Sequence, residues 1–414
     1  MSVGRPPARA AGAVLALGLA LPAAAVAQPA PAAPVAALTL DAALDQAART
    51  NQSVEAARRR LTAAGLAVAV ARQRPNPEAR VEFERETPTQ AFSLGLPVEM
   101  GGKRGRRVAL GEAGVAVSDT ALAVAALDIR RLVRQAYFDV AAADARKALL
   151  EELLGLAGRA TEAARQRFEA GSAPRLEVLQ AELARADAVN QATAADGAAA
   201  AARARLNALL AQPPGTPLTL ATPIDHLVAI PLPAADVTAA PGADLVLLDR
   251  LVAEQRARVA LTSALGVPDL TPEATLTRGA EPEFSTGWRV ALGVNVPLFT
   301  TRRPAVRVEE STLSALEAER EALAARVAGD VASARALADA LSQQYRRYQA
   351  DILPQALEVE RLAEESYRLG RTGLAAYLQA LQATRDLRLR MLQVGADFQT
   401  ALGDLERALG RPLP

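Results

Sequence analysis

A long internal duplication constrains this chain more than any other feature. Residues 168–181 read FEAGSAPRLEVLQA and residues 367–380 read YRLGRTGLAAYLQA. Phe168, Gly171, Leu179, Gln180 and Ala181 match Tyr367, Gly370, Leu378, Gln379 and Ala380, each shifted by 199 residues. The same shift carries Leu206 onto Leu405, Leu210 onto Leu409 and Pro213 onto Pro412. A repeat this long, in a chain of 414 residues, indicates a duplicated domain, not a solenoid of short units.

Each copy has the same plan. Residues 39–212 form the first repeat and 244–414 the second, joined by a Pro-rich connector at 213–243 that holds the single histidine, His226. In the first repeat, residues 38–74 predict a helix with Asp41 near its start, stopped by Pro75 and Pro77. The period then falls to two. Val81 and Phe83 alternate with Glu82 and Glu84, and Phe92, Leu94, Leu96 and Val98 with Ser93, Gly95, Pro97 and Glu99, which predicts paired strands over 80–86 and 91–99. In the second repeat a helix over about 244–265 leads to a weak strand, EATLTRG, and then to the clearest strand, 286–298. There Trp288, Val290, Leu292, Val294, Val296 and Leu298 alternate with small or polar residues.

Long helices follow, over 108–168 and 305–367, each about 90 Å if unbroken. Leu122, Ile129, Ala136, Ala143 and Leu150 recur every seven residues, as do Ala126, Val133 and Val140, the seam of tightly packed antiparallel helices. Gly155 and Pro354 are 199 apart and predict a bend shared by both repeats. Gly171 and Gly370 end the long helices, where positive φ is required, and Ser172 and Thr372 are candidate caps for the returning helices. Each quoted stretch is thus the tip of a helical hairpin. Its leucines serve either hairpin packing or contact with a partner.

Four strands in two hairpins have no other β element to cover them. Lipid forbids open sheet edges, and four strands are too few for a barrel. Three copies supply twelve, within the even-numbered outer-membrane range. Of thirteen aromatic residues (seven Phe, five Tyr, one Trp), Phe83, Phe92, Phe284, Trp288 and Phe299 cluster by these strands, as membrane-interface aromatics would. Arg5 and Arg9, an apolar run over 11–21 and Ala25-Val26-Ala27 make residues 1–27 a cleavable signal peptide, followed by a Pro/Ala linker at 28–38. No later stretch of about 20 uninterrupted apolar residues suggests a spanning helix. With no cysteine, the mature chain is not lipidated and has no disulfide or thiolate site. A net charge of +1 argues against nucleic-acid binding. With one His and three Met, nothing predicts a catalytic, cofactor or metal site.

These features together resemble the TolC-like outer-membrane factor family, the exit ducts of efflux pumps and type I secretion systems. The resemblance rests on LTLDAALDQAARTNQSVEAA at the start, the paired hairpins and the two tips. It implies a mainly α fold with a small membrane β part. Duplicated α-helical hairpins would form a periplasmic tunnel, and four strands per chain would complete a twelve-stranded trimeric barrel. It implies a homotrimer in the outer membrane of a Gram-negative bacterium, in contact with outer-membrane lipid. It further implies a periplasmic adaptor and an inner-membrane transporter of RND type as partners, no cofactor and no enzymatic activity. The segment LPVEMGGKRGRRVALGEAG at 96–114 is similar to the branch serving cobalt–zinc–cadmium pumps, the CzcC-like ducts, so heavy-metal cations are the expected cargo. A drug-efflux or secretion duct, or a soluble periplasmic coiled-coil scaffold, are the alternatives. Lys103, Arg104, Arg106 and Arg107 would either meet inner-leaflet phosphates or form a solvated helix start. Carried onto the tips, adaptor-docking and gate roles fall to Gly171, Ser172, Leu176, Glu177 and Leu179, with Gly370, Thr372, Leu374 and Leu378. Members with acidic rings at the tunnel entrance place aspartates where this chain has Ala376 and Gln379, so an acidic-ring entrance does not carry over.

Overall fold

The computed structural model describes residues 37–86, 88–221, 242–296, 299 and 301–413. The signal peptide, most of the linker, and residues 222–241 of the connector with His226 lie outside the described residues.

The predicted first helix is two helices, α1 (Leu40–Thr50) and α2 (Gln52–Ala71). Asn51 separates them because its side chain serves two backbones. It accepts from the Ser53 N–H at 2.9 Å, capping α2, and donates to the Leu209 carbonyl at 2.9 Å. Two short strands follow, β1 (Glu78–Phe83) and β2 (Gln90–Gly95). Helix α3 (Lys103–Glu169) spans 67 residues and returns as α4 (Arg175–Leu209). The second repeat has α5 (Ala243–Ala264), β3 (Leu270–Ala280) and β4 (Phe284–Val294). Then come α6 (Arg303–Arg347), a π-helical segment (Tyr348–Ile352), α7 (Leu353–Arg368) and α8 (Leu374–Leu409). The strand expected to be weak is 11 residues long, as long as its partner.

The two hairpins join into one antiparallel sheet, ordered β1-β2-β3-β4. In the helical part, α3 is the shared wall. It packs on α2, α4, α5 and α8, and α8 in turn packs on α6 and α7. The expected seam is the core: Ile129, Val133, Ala136 and Val140 are buried against α1 and Leu206 of α4. Helix α3 also has one window apolar enough in length and composition to span a membrane, contrary to expectation. Its alanines and valines raise hydropathy without forming an unbroken apolar run, since Glu112 and Asp119 interrupt them.

The two positions expected to share a bend differ in helix type. Gly155 lies inside unbroken α-helix. Pro354, by contrast, follows the π-helical segment directly. Proline lacks the N–H an α-helix needs and crowds the preceding turn, and a wider turn relieves both. Glycine imposes neither constraint.

Buried charge ties the repeats together. Arg134 of α3 donates to Glu406 of α8 at 3.0 Å and to Gln399 at 3.2 Å. Both members of the pair are nearly inaccessible, and burial pulls the Arg134 pKa down. Glu406 also accepts the Leu413 N–H. Arg407 bridges Asp128 of α3 and Asp244 at the start of α5, both carboxylates holding its pKa up. Removing one partner of the buried Arg134–Glu406 pair strands the other, and the more exposed Arg407 bridges add a weaker tie of α8 to α3 and α5.

Candidate functional site

Two regions could carry function, the sheet and the helical tips. In the sheet, register sorts the side chains by face. Val81 pairs with Phe92, Phe92 with Leu276, and Leu276 with Trp288, a single apolar row across all four strands. The next row on that face is Ala79, Leu94, Ala274 and Val290. Trp288 is 80% exposed and Val290 68%, in a single chain with nothing against them. The opposite face is polar: Arg80, Ser93, Thr275 and Arg289 form one row, with Ser93 and Thr275 sharing a hydroxyl hydrogen bond of 3.0 Å. This is the alternation of a barrel wall with lipid on one side and water on the other. Strands β3 and β4 have the 9–11 residues a tilted spanning strand needs. Phe83 is exposed at the end of β1 and Phe299 is fully exposed beyond β4. Phe284 opens β4.

The basic turn before α3 is not solvated as a whole. Lys103 is buried and paired with Asp269 at 2.7 Å. Arg107 forms a two-pronged pair with Glu99, which raises its pKa. Arg104 donates to the Arg72 carbonyl at 2.7 Å. These side chains hold the strand–helix joint together, and only Arg106 is left for solvent or lipid.

At the tips, the glycines do what the spacing requires. Gly171 and Gly370 both have φ of 71°. In the first tip the Ser172 N–H reaches back to the Arg167 carbonyl, and in the second the Arg371 N–H reaches the Ser366 carbonyl, the same helix-ending arrangement. The capping expectation is corrected. The N-cap positions of α4 and α8 are Pro174 and Gly373, and neither supplies a side-chain cap. The Ser172 hydroxyl instead donates to the Arg167 carbonyl at 2.9 Å, closing the outgoing helix, because a turn this tight leaves that carbonyl nearest. Thr372 contributes a backbone N–H to the Ser366 carbonyl.

The tip side chains divide. Leu176 and Leu179 are 61% and 52% exposed, with Leu183 one turn further on at 73%. Leu374 is buried, and Leu378 packs partly buried on the same cluster as Leu149, Leu153 and Ala160 of α3. Glu177 faces Arg167 at 3.9 Å. The Arg167 guanidinium lies 4.9 Å above the Tyr367 ring, which stacks on Tyr377 at 5.6 Å. Burial, then the nearby Glu364 and Glu360 carboxylates, pushes the Tyr377 pKa up to about 12. Burial likewise raises the Glu360 carboxyl, against a hydrogen bond from Thr384. Sequence reading missed Arg167, Tyr377 and Glu360 as tip residues. Aromatic scarcity was the available signal, since two of only five tyrosines lie within ten residues of each other at this tip.

Comparison with known proteins agrees with this geometry. The profile of a family described as outer membrane efflux protein matches residues 43–212 and 248–411. The chain is 29% identical over 391 residues to the cobalt-zinc-cadmium resistance protein CzcC of Cupriavidus metallidurans, covering 90% of each chain. Among solved structures it is similar to CusC, with a TM-score of 0.76 and 17% identity over 90% of this chain and 92% of the other. It is also similar to the open-state MtrE outer membrane channel of Neisseria gonorrhoeae, with a TM-score of 0.75 and 19% identity over 90% and 89%.

Proposed function

The chain belongs to the outer membrane efflux protein family, and from that premise we propose that three copies form the exit duct of a tripartite heavy-metal efflux system. The family consists of channels, not enzymes, and membership sets aside the soluble scaffold. The observation that carries the trimeric reading is the open sheet. Strands β1 and β4 are outer strands with no partner among the described residues, one face between them is apolar and exposed, and a lipid-facing sheet must close. Three four-stranded sheets meeting edge to edge make a twelve-stranded barrel. Helix α4 and the α6–α7 run are likewise the outer members of the helical row, so the same symmetry closes both parts.

In this reading the helical tips face a periplasmic adaptor, which links the duct to an inner-membrane pump of RND type. The exposed Leu176 and Leu179 are the docking contacts. Arg167, Glu177 and Tyr367 tie the two tips of one chain and stand where an entrance would narrow. Metal cargo is supported by the likeness to CzcC. The duct is passive, and energy coupling resides in the partners. The leader would direct export and be removed, leaving an unlipidated chain.

Deleting the gene and complementing it tests the cargo. Growth is scored across graded cobalt, zinc, cadmium and copper beside a panel of amphiphilic drugs. Sensitivity to metals alone is expected, whereas sensitivity to drugs alone would transfer the duct to drug efflux. Closure is tested separately, since the chain has no cysteine of its own. Cysteine pairs, one at Val81 or a neighbour on β1 and one at Val290 or a neighbour on β4 of the same chain, oxidised in membranes, should give crosslinked dimers and trimers. A scan that yields only monomers would overturn the barrel.

A further inference from the structure

The two strand–helix joints correspond through the repeat but are satisfied differently. The 199-residue shift places Lys103 and Arg104 on Arg302 and Arg303. The first joint spends Lys103 on Asp269 and Arg107 on Glu99. At the second joint Arg302, Arg303 and Arg307 are exposed and form no ion pair among the described residues. The arginines next to them along the same helices are matched: Arg256 with Glu317, Arg258 with Glu254, and Arg320 with Asp249.

These three line an open cleft of about 510 Å³ between the end of α5 and the start of α6, together with Ser263, Thr301 and Glu310. The cleft has a firm wall. A Cβ added to Gly266 would lie 3.6 Å from the Cβ of Arg302, so the stem of that arginine rests on the glycine backbone. Helix α6, 45 residues long, points its N-terminus into the cleft and adds positive potential. Glu310 is the one carboxylate in the lining, against three guanidiniums.

Position identifies the ligand chemistry. The apolar face of β4 runs through Trp288, Val290, Leu292 and Val294 to Val296, and all five are exposed. Phe299 follows, then the arginines. Leu265 and Val267, which flank Gly266 of the cleft in sequence, are 41% and 40% exposed. An apolar band, an aromatic and a fork of guanidiniums match, in order, the acyl chain, interface and phosphate of a lipid.

We propose that Arg302, Arg303 and Arg307 form a binding site for the phosphate of an anionic phospholipid in the periplasmic leaflet, one per chain. The inference rests on the duct reading, because it needs the sheet to lie in the membrane. The site anchors the second joint with lipid where the first joint uses Asp269 and Glu99.

The test uses full-length protein extracted from membranes into detergent and reconstituted in phosphatidylcholine nanodiscs with added phosphatidylglycerol. Retained lipid is counted by native mass spectrometry. The triple variant Arg302→Gln/Arg303→Gln/Arg307→Gln should hold phosphatidylglycerol roughly tenfold less well or worse. The control Arg256→Gln/Arg258→Gln/Arg320→Gln removes equal charge and should retain it like wild type. Inorganic phosphate in excess should not displace the lipid. Displacement by phosphate alone would make this a free-anion site and overturn the lipid assignment. Unchanged retention in the triple variant would overturn the proposal, and loss of the trimer with lipid intact would place the arginines at a subunit contact instead. Recovery of the wild type in the soluble fraction would overturn the duct reading and this inference with it. Membrane-embedded protein whose triple variant keeps its lipid would overturn the inference alone.

Discussion

The two helical tips share a sequence plan and a backbone, yet they present opposite surfaces. Both turn at a glycine with φ of 71° and both end the outgoing helix with the same backbone bonds. In the first tip Phe168 is 43% exposed; its counterpart in the second, Tyr367, is 1% exposed. Leu176, Leu179 and Leu183 stand in solvent, while Leu374, Tyr377 and Leu381 are buried. Neighbours explain the difference. Helix α8 lies between α3 and the α6–α7 run and packs on both, whereas α4 packs on α3 alone and barely meets α8. The second tip therefore has neighbours on two sides, and the face of α4 turned away from α3 has nothing in the single chain. A duplicated hairpin has been divided between a scaffold and a contact surface.

Substituting the aromatic pair should break this comparison most sharply. Tyr367→Ala removes a buried ring that stacks on Tyr377 and underlies Arg167, and should cost about 3–5 kcal/mol. Phe168→Ala, at the matching position, should cost less than about 1 kcal/mol. Thermal unfolding of the two variants in detergent provides the check, and equal losses would mean that the tips are not divided as described. The reverse asymmetry should appear in function. Leu176→Glu with Leu179→Glu should leave unfolding within about 0.5 kcal/mol of wild type. It should nevertheless lower metal resistance in a complemented strain roughly tenfold, as loss of exposed apolar anchors does at a docking surface. Full resistance would remove these leucines from the docking surface.

The shared part of the tips was legible in sequence, and the divided part was not. Glycine at a helix end is a local requirement, so Gly171 and Gly370 could be read from spacing alone. The seam of Ile129, Val133, Ala136 and Val140 was legible for the same reason, because heptad periodicity is local. Whether Leu374 is buried and Leu176 is not depends on which helix lies beside each tip, and nothing local encodes that order. The basic turn shows the same limit. Lys103 is captured by Asp269, which is 166 residues away in sequence (269 − 103). Ser172 looked like a cap for the next helix and instead closes the previous one, since both uses need the same short polar side chain.

The link between the tips offers a smaller test of the same division. Arg167→Gln removes the guanidinium from the Tyr367 ring and from Glu177, and should cost about 1 kcal/mol. Glu177→Gln keeps the ring contact and should cost less, because the 3.9 Å ion pair with Arg167 is long. If the two variants lost equal stability, the charge pair and not the ring would hold the tips together. A double variant that adds nothing to Arg167→Gln would show that Glu177 acts only through that arginine.

The smallest expected effect concerns Glu360 on α7, and its sign depends on pH. One carboxyl oxygen of Glu360 is buried without a hydrogen-bond partner, and burial is the largest influence raising its pKa in the folded chain. An acid whose folded pKa is raised binds its proton more tightly when folded than when unfolded. Its protonated form therefore costs nothing at low pH. As pH rises through the unfolded and then the folded value, the unfolded chain gives up its proton first, and stability is lost. Glu360→Gln removes that loss, so the variant should match wild type in acid and be more stable at neutral pH, by less than about 1 kcal/mol. Unfolding measured across that range should show the two curves beginning to part in the ordinary carboxylate range and separating further until pH passes the raised folded value. A variant less stable than wild type at neutral pH would mean that Glu360 is held ionised by Arg388, and that the buried second tip carries a working charge after all.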